Sequence, residues 1–205
     1  MMGLPFNSLF DDPSAPQTID QDGDIVLIEN FIPRERADTF FQSLFYDIDW
    51  QEHQVFADGQ WRLQPRLIHW FGDREYQHRG LSLTPTAITR VATLSDIARM
   101  VEGHCKTTFN TCLANLYRSG EDSIGMHADT EPELGDQPLI ASISLGGTRK
   151  FRLDERRGPR KIVLPLHTGS LLIMRGNAQR RWLHGINKEP GCNARINFTF
   201  RIMHP

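Results

Sequence analysis

Arg195-Ile196-Asn197-Phe198-Thr199-Phe200-Arg201-Ile202, RINFTFRI, alternates polar and apolar residues without a break. Residues two apart on a strand share a face. Arg195, Asn197, Thr199 and Arg201 therefore fall on one side, and Ile196, Phe198, Phe200 and Ile202 on the other. The apolar set is hydrophobic enough to place this strand deep in a core. Two environments remain open for the arginines. A solvated outer face makes them an ordinary polar side. A barrel interior makes two guanidinium groups demand anionic partners. A small dicarboxylate meets that demand, because each arginine can grip a carboxylate through two N–H groups.

The chain upstream, back to Lys106, has a similar texture. Short β-type runs follow one another: FNTCLANLYR, LIASISLGG, RKFRLDE, KIVLPL, GSLLIMRG and WLHGI, separated by Gly, Pro and Asp or Asn. Many short strands with turn signals indicate a sandwich or barrel. Before Lys106 the pattern differs. DIVLIENF reads as a strand. IPRERADTFFQSLFYDI reads as a helix opened by Pro33, with Phe40, Phe41, Leu44 and Phe45 on one stripe. ADGQ, residues 57–60, suggests a hairpin turn. TPTAITRVATLSDIARMVEGH predicts a second helix, with Ile88, Val91, Leu94, Ile97 and Ala98 at helical spacing. Helices first and strands second give an α+β class, with N-terminal helices on one side of a jelly roll, or double-stranded β-helix.

The length of 205 residues suits one domain with a real core. Residues 1–24 are rich in Asp, Pro, Ser and Gln, and predict an acidic, extended or partly disordered arm. Residues 25–205 form the domain, with its β core over about 107–205. Hydrophobic content of 39 % and charged content of 23 % are ordinary for a globular protein. No apolar run is long enough to cross a bilayer, so no membrane partner is expected. No basic residue precedes Arg34, which argues against secretory and organellar signals. Cys105, Cys112 and Cys192 form no CxxC pair and read as reduced thiols. These signs point to the cytoplasm, or the nucleus of a eukaryote. The net charge of −2 excludes a uniformly basic coat but not a local basic patch.

GMHADTE, residues 125–131, carries the next signal. On a strand, His127 and Asp129 project together. A third ligand must come from elsewhere, and His184 in WLHGI is the best of the remaining histidines, 55 positions after Asp129. Two histidines and one carboxylate on one side of a metal leave open positions, the arrangement of non-heme Fe(II) oxygenases.

Together these residues resemble the AlkB family of Fe(II)/2-oxoglutarate dioxygenases. The matching pieces are NLYRSGEDSIGMHADTE, PLIASISLGGTRKF, GSLLIMRG, WLHGI and RINFTFR, in the family's order, and the resemblance covers about residues 50–202. PRLIHWFGD and the basic loop look most like the subgroup acting on double-stranded DNA. The resemblance implies that His127, Asp129 and His184 hold Fe(II) and carry catalysis. It implies that Arg195 pairs with the far carboxylate of 2-oxoglutarate, helped by the Tyr117 hydroxyl. Arg201 and Asn197 would hold the carboxylate beside the keto group, with Asn115 nearby and Thr199 on the same face. O2 would take an open metal position. The implied reaction is direct DNA repair, the oxidative demethylation of bases such as 1-methyladenine and 3-methylcytosine, with release of formaldehyde, succinate and CO2.

A buried metal cannot reach a stacked base, so the nucleotide must be flipped out. Residues 50–80 hold Trp50, Phe56, Trp61, Trp70, Phe71 and Tyr76 among Arg62, Arg66, His69, Arg74, His78 and Arg79. Aromatics could stack on bases and arginines hold phosphates. By resemblance this stretch is a hairpin lid over the nucleotide, with Arg66 and Tyr76 around the base. His78 stands where double-strand-specific relatives carry a stacking aromatic. Phe56 lies near the place of an intercalating wedge, on a longer hairpin. Glu131 falls where the family sets an acid near the exocyclic group of the base. The loop RLDERRGPRKI carries Arg156, Arg157, Arg160 and Lys161, and by resemblance these would meet the duplex backbone. The partner expected is alkylated DNA, with RNA as an alternative, bound by a monomer. The competing readings keep the iron chemistry but act on RNA, a protein side chain or a small molecule, or discard it for a non-catalytic binding barrel. The complete set of iron and cosubstrate positions argues against the last.

Overall fold

The computed structural model describes the chain except residues 1–11, 21, 23, 58, 79 and 80, and does not describe the side chains of Ala57, His78 and Leu81. The strands before the core are β1 (Gln17–Thr18), β2 (Ile25–Ile28), β3 (Gln54–Ala57), β4 (Gln60–Leu63), β5 (Leu67–Gly72), β6 (Tyr76–His78) and β7 (Leu81–Leu83). The core adds β8 (Thr111–Tyr117), β9 (Ile124–His127), β10 (Ile140–Gly146), β11 (Arg149–Glu155), β12 (Lys161–Leu166), β13 (Leu171–Met174), β14 (Trp182–Ile186) and β15 (Arg195–Arg201). The helices are α1 (Arg34–Asp47), α2 (Ala92–Cys105) and the short α3 (Ala178–Arg181). Each β-type run expected after Lys106 is a strand.

Two antiparallel sheets make a jelly roll. The major sheet runs β1-β2-β13-β10-β15-β8-β5, and the minor sheet β12-β11-β14-β9. β15 lies between β10 and β8, with Asn197 opposite Ser144 on one side and Asn115 on the other. All seven of its residues are buried. That decides between the two environments left open for its polar face: the interior holds it. Ile196, Phe198 and Phe200 face outward from the barrel but remain dry, because α1 and α2 cover them with Ala37, Phe40, Leu44, Leu94, Ile97 and Val101. Truncating one such phenylalanine to alanine costs roughly 3–5 kcal/mol.

α1 begins after Pro33, as its φ of −53° favours. Phe40 and Leu44 are buried, whereas Phe41 and Phe45 are only half-buried. The second helix starts later than its periodicity predicts. Thr86 is tied to the edge of β5 by Gly72 N–H to Thr86 O at 3.0 Å and Thr86 N–H to Trp70 O at 3.1 Å. Ile88–Arg90 then make a 3-10 turn, and Val91 is extended, so regular helix opens only at Ala92. Sheet pairing at Thr86 overrides the helical spacing of Ile88 and Val91. The hairpin expected at residues 57–60 is β3–β4, and β6–β7 forms a second. Of the acidic arm, residues 12–20 are described. They include β1, paired with β2, and Asp20, whose Oδ1 accepts the amide N–H groups of Asp24 and Ile25. The rest of the arm, residues 1–11, 21 and 23, lies outside the described residues. Among the described residues no helix is long and apolar enough to cross a membrane.

Candidate functional site

The faces of the two sheets enclose a small cavity of about 60 Å³. The major sheet lines it with Asn115, Tyr117, Ser142, Arg195, Asn197, Thr199 and Arg201, and the minor sheet side contributes His127 and His184, with Asp129 just beyond β9. Every residue expected to hold metal or cosubstrate is therefore in one place.

Strand pairing sets His127 opposite His184, with ring centroids 4.4 Å apart. Asp129 joins them, and one donor atom from each of the three lies within 4.8 Å of the others. The expectation that His127 and Asp129 share a strand face needs correcting, because β9 ends at His127 and Asp129 sits in irregular chain. His127 Nδ1 lies 2.8 Å from Gly125 O. That carbonyl can only accept, so Nδ1 donates to it and Nε2 faces Asp129 Oδ1 at 3.6 Å. Burial, then the neighbouring His127, pushes the His184 imidazole down to about 3, so it is neutral. Burial alone would raise the Asp129 carboxyl. Arg201 and the two histidines more than offset it and hold the carboxyl at about 2. A neutral His184 imidazole and an ionised Asp129 carboxylate are the protonation states that binding a divalent cation requires of those two groups. The His184 Nδ1 is buried without a partner, as a donor awaiting an acceptor or a ligand atom would be.

The two arginines have different protein partners. Arg201 donates from Nε and Nη2 to Asp129 Oδ2, at 3.0 and 2.7 Å, so its first task is to anchor that carboxylate. Arg195 is 1 % exposed. Its Nη2 donates to Ser144 Oγ at 2.8 Å, while Nε and Nη1 are buried with no partner. Burial pushes this guanidinium down to about 10. A buried cation with unsatisfied N–H groups and no protein carboxylate beside it is a site for a small anion. Around it, Asn115 Nδ2 and Thr199 Oγ1 donate to Asn197 Oδ1 at 3.2 and 3.1 Å, and Asn197 Nδ2 donates to Ser142 Oγ at 2.8 Å. The donor set thus fits both a divalent metal and a dicarboxylate.

A wider cleft opens over His127, lined by Arg66, Tyr76, Glu131, Val55 and Arg62 among others. Tyr76 Oη donates to Glu131 Oε1 at 2.8 Å, which bridges the β6–β7 hairpin to the chain after Asp129. Burial, then Glu131, raises the Tyr76 hydroxyl far above its ordinary value, so it stays protonated. Arg66 Nε donates to Asn115 Oδ1 at 2.8 Å, joining the cleft to the inner cavity. Phe56 does not line the cleft. It stands on the opposite face of β3, 48 % exposed, edge-on to the exposed Trp61. The side chain of His78 lies outside the described residues.

The basic loop is a tight turn between β11 and β12. Arg156 is exposed but its Nη1 lies 3.4 Å from Gln179 O. Arg160 packs its guanidinium over the Trp182 ring, 5.5 Å from the centroid. Arg157 and Lys161 are exposed. Two residues of consequence escaped the sequence reading. Arg149 is fully buried and donates to the carbonyls of Ser119, Asp122 and Asn187. With Arg195 it flanks the Tyr117 ring, at 5.6 and 5.3 Å. Its signal was in the alternation of RKFRLDE, which sets Arg149 on the same face as Phe151 and Leu153. Gln179 accepts the Asp129 amide N–H at 2.9 Å. No sequence pattern marks that contact across 50 positions.

Comparison with known proteins gives concordant matches. Residues 24–201 match the family profile described as the 2OG-Fe(II) oxygenase superfamily. Bovine alpha-ketoglutarate-dependent dioxygenase alkB homolog 3 is 34 % identical over 191 residues, covering 88 % of this chain. The chain spans 66 % of that relative's length, just under two thirds. Human DNA oxidative demethylase ALKBH2 is 36 % identical over 184 residues, 82 % of this chain and 69 % of that protein. Among solved structures, OsALKBH1 superposes with a TM-score of 0.61 at 18 % identity, over 92 % of this chain and all of that one. A prolyl hydroxylase from Trichoplax adhaerens gives 0.62 at 14 % identity, over 87 % of this chain and 83 % of its own. At those identities the two structures speak for the fold.

Proposed function

The chain belongs to the AlkB family within the 2OG-Fe(II) oxygenase superfamily, and on that premise we propose that it is an Fe(II)- and 2-oxoglutarate-dependent dioxygenase that removes alkyl groups from base nitrogens in DNA. The observation that carries the reading is Arg195, buried with two unpartnered N–H atoms, in one cavity with the His127, Asp129 and His184 donors. Bound there, Fe(II) with 2-oxoglutarate and O2 supplies the oxidation of an alkyl C–H bond, which releases a base methyl as formaldehyde and leaves succinate and CO2.

The chain's own residues do the rest. His127, Asp129 and His184 would hold the metal, with His127 turned by Gly125 O and Asp129 by Arg201. Arg195 would take the far carboxylate of 2-oxoglutarate on Nε and Nη1, while Ser144 fixes its Nη2. Tyr117, held between two guanidinium groups, would place its hydroxyl near that carboxylate. Asn115, Asn197 and Thr199 form a hydrogen-bonded wall that would lie beside it, and Arg201 would border the carboxylate next to the keto group. Tyr76, Glu131 and Arg66 would frame a flipped base above His127 and shield it from water. His78 is proposed to stack beside it.

A nucleic-acid substrate is supported by the exposed Phe56–Trp61 pair on the hairpin beside the cleft, since an isolated solvent-facing aromatic pair suits stacking or wedging at a base step. Arg157 and Lys161, with Arg156 and Arg160 behind them, would meet backbone phosphates. DNA is chosen because the relative at 36 % identity is named for it. Free thiols at Cys105, Cys112 and Cys192 suit a reducing compartment, the cytoplasm or a nucleus, and the protein is taken to act as a monomer.

The test is an anaerobically prepared protein given Fe(II), 2-oxoglutarate and O2 with DNA or RNA oligonucleotides bearing 1-methyladenine or 3-methylcytosine. Formaldehyde and restored base should appear with DNA, and His127→Ala should abolish both. Repair of RNA alone moves the substrate. Succinate without repair of either moves it outside nucleic acid. No turnover of 2-oxoglutarate removes the reading.

A further inference from the structure

His127 and His184 are held by strand pairing, but Asp129 is not. β9 stops at His127, and residues 128–131 have no regular structure. The Asp129 amide N–H is buried with its residue and must find an acceptor. It finds the Gln179 side chain, whose Oε1 lies 2.9 Å away. Gln179 is itself 3 % exposed. The orientation of its amide is fixed from both ends. The Asp129 N–H can only donate, so an oxygen must face it. The other end, Nε2, reaches the Met174 sulfur at 3.5 Å, a weak acceptor. The backbone carbonyl of Gln179, separately, accepts from Arg156 Nη1 at 3.4 Å.

Gln179 lies in α3, immediately before β14, which carries His184. One side chain thus ties the turn feeding the His184 strand to the backbone of Asp129. The carboxylate is then fixed at two points: Arg201 grips Oδ2, and Gln179 sets the main chain from which it projects. Together they aim Oδ1 at His127 Nε2.

We propose that Gln179 is the positioning residue for the carboxylate ligand, replacing with a side-chain acceptor the ladder hydrogen bond that Asp129 lacks. The inference rests on the metal reading above. Partners behind a ligand typically change metal affinity by about 10–100-fold when removed, and the same range applies here.

Co(II) is the probe, titrated into metal-free protein and followed by its d–d absorption. Gln179→Met keeps the length and replaces the amide oxygen with a thioether, a far weaker acceptor. Its Co(II) dissociation constant should rise at least about tenfold, with an altered d–d band. Gln179→Glu keeps an acceptor on the same atom and should bind within about threefold of the wild type. Amide exchange in the metal-free proteins should speed up at Asp129 in Gln179→Met but not at the amides of the β11–β14 ladder, which a general loosening of the fold would also expose. Should Gln179→Met not fold, Gln179→Ala makes the same comparison. Unchanged Co(II) affinity in Gln179→Met or Gln179→Ala overturns the proposal, as does an equal loss in Gln179→Glu. Failure of the wild type to bind Co(II) would instead sink the metal reading itself, and this inference with it.

Discussion

Arg195→Met should make the protein more stable without cosubstrate and unable to respond to it. Burial holds the Arg195 guanidinium well below its ordinary value, at about 10. That gap corresponds to about 3 kcal/mol disfavouring the charged form in the fold. Both folded and unfolded chains carry the charge at neutral pH, so the cost is fully present there; it fades only as pH rises above about 10 towards the guanidinium's ordinary value. Arg195 is fully buried, so solvent does not screen it. Methionine fills similar length without charge and loses one charged hydrogen bond to Ser144, worth roughly 1.5 kcal/mol or somewhat more. The net gain is about 1–2 kcal/mol. A chain of this size shifts by about 2–4 °C per kcal/mol, so the variant should melt about 2–8 °C higher. With redox-inert Mn(II) and 2-oxoglutarate at a hundred times its dissociation constant, the wild type gains about 2.7 kcal/mol and the variant nothing. The order of melting then narrows or reverses. The assay is thermal unfolding by circular dichroism, with and without 2-oxoglutarate. A variant that melts below the ligand-free wild type refutes the buried-charge argument. One that keeps the full 2-oxoglutarate shift refutes Arg195 as the anion's partner.

Arg149→Leu should cost roughly 3 kcal/mol or more, read as a lower urea midpoint, because the carbonyls of Ser119, Asp122 and Asn187 each lose a buried donor. Arg157→Ala with Lys161→Ala should weaken oligonucleotide binding equally for all sequences and flatten the log–log salt slope by about 2. This pair is a cleaner probe than one including Arg160, whose loss would also uncover Trp182. Burial pushes the Cys112 thiol far above its ordinary value, so an aromatic disulfide reagent near pH 8 should leave Cys112 untouched in the folded protein and modify it only after denaturation, which mass spectrometry of the peptides would read.

Periodicity made the C-terminal half legible, because a half-buried strand writes its two faces into alternate residues. β15 announced its register and its polar set, and β11 announced an inward arginine to anyone who followed the alternation through Arg149. The helix start at Ala92 was illegible for the opposite reason. Ile88 and Val91 keep a helical spacing, while the event that forbids helix is a hydrogen-bonded edge contact between Thr86 and β5, a tertiary fact. The candidate metal triad was legible as residue types and only half legible as geometry. HxD suggests one strand face, yet Asp129 leaves the strand and depends on Arg201 and Gln179, from positions 72 and 50 residues away. Nothing local in GMHADTE encodes either partner.

The same strand explains how so polar an interior survives in a stable fold. A cavity holding Arg195, Arg201, Asn115, Asn197 and Asp129 exposes none of them enough to be solvated. Their neighbours satisfy most, but two Arg195 N–H atoms remain uncompensated. The compensation lies on the reverse face of the same residues' strands. Ile196, Phe198 and Phe200 alternate with the polar set and are sealed by α1 and α2 without any exposed area. One face of β15 stabilises the sheet; the other face keeps a destabilised cation poised for an anion. The two faces are separable in principle: truncating Phe198 should lower the melting point and leave the response to 2-oxoglutarate intact, whereas Arg195→Met should do the reverse. Helices on one side of the jelly roll are therefore what permits an unsatisfied charge on the other.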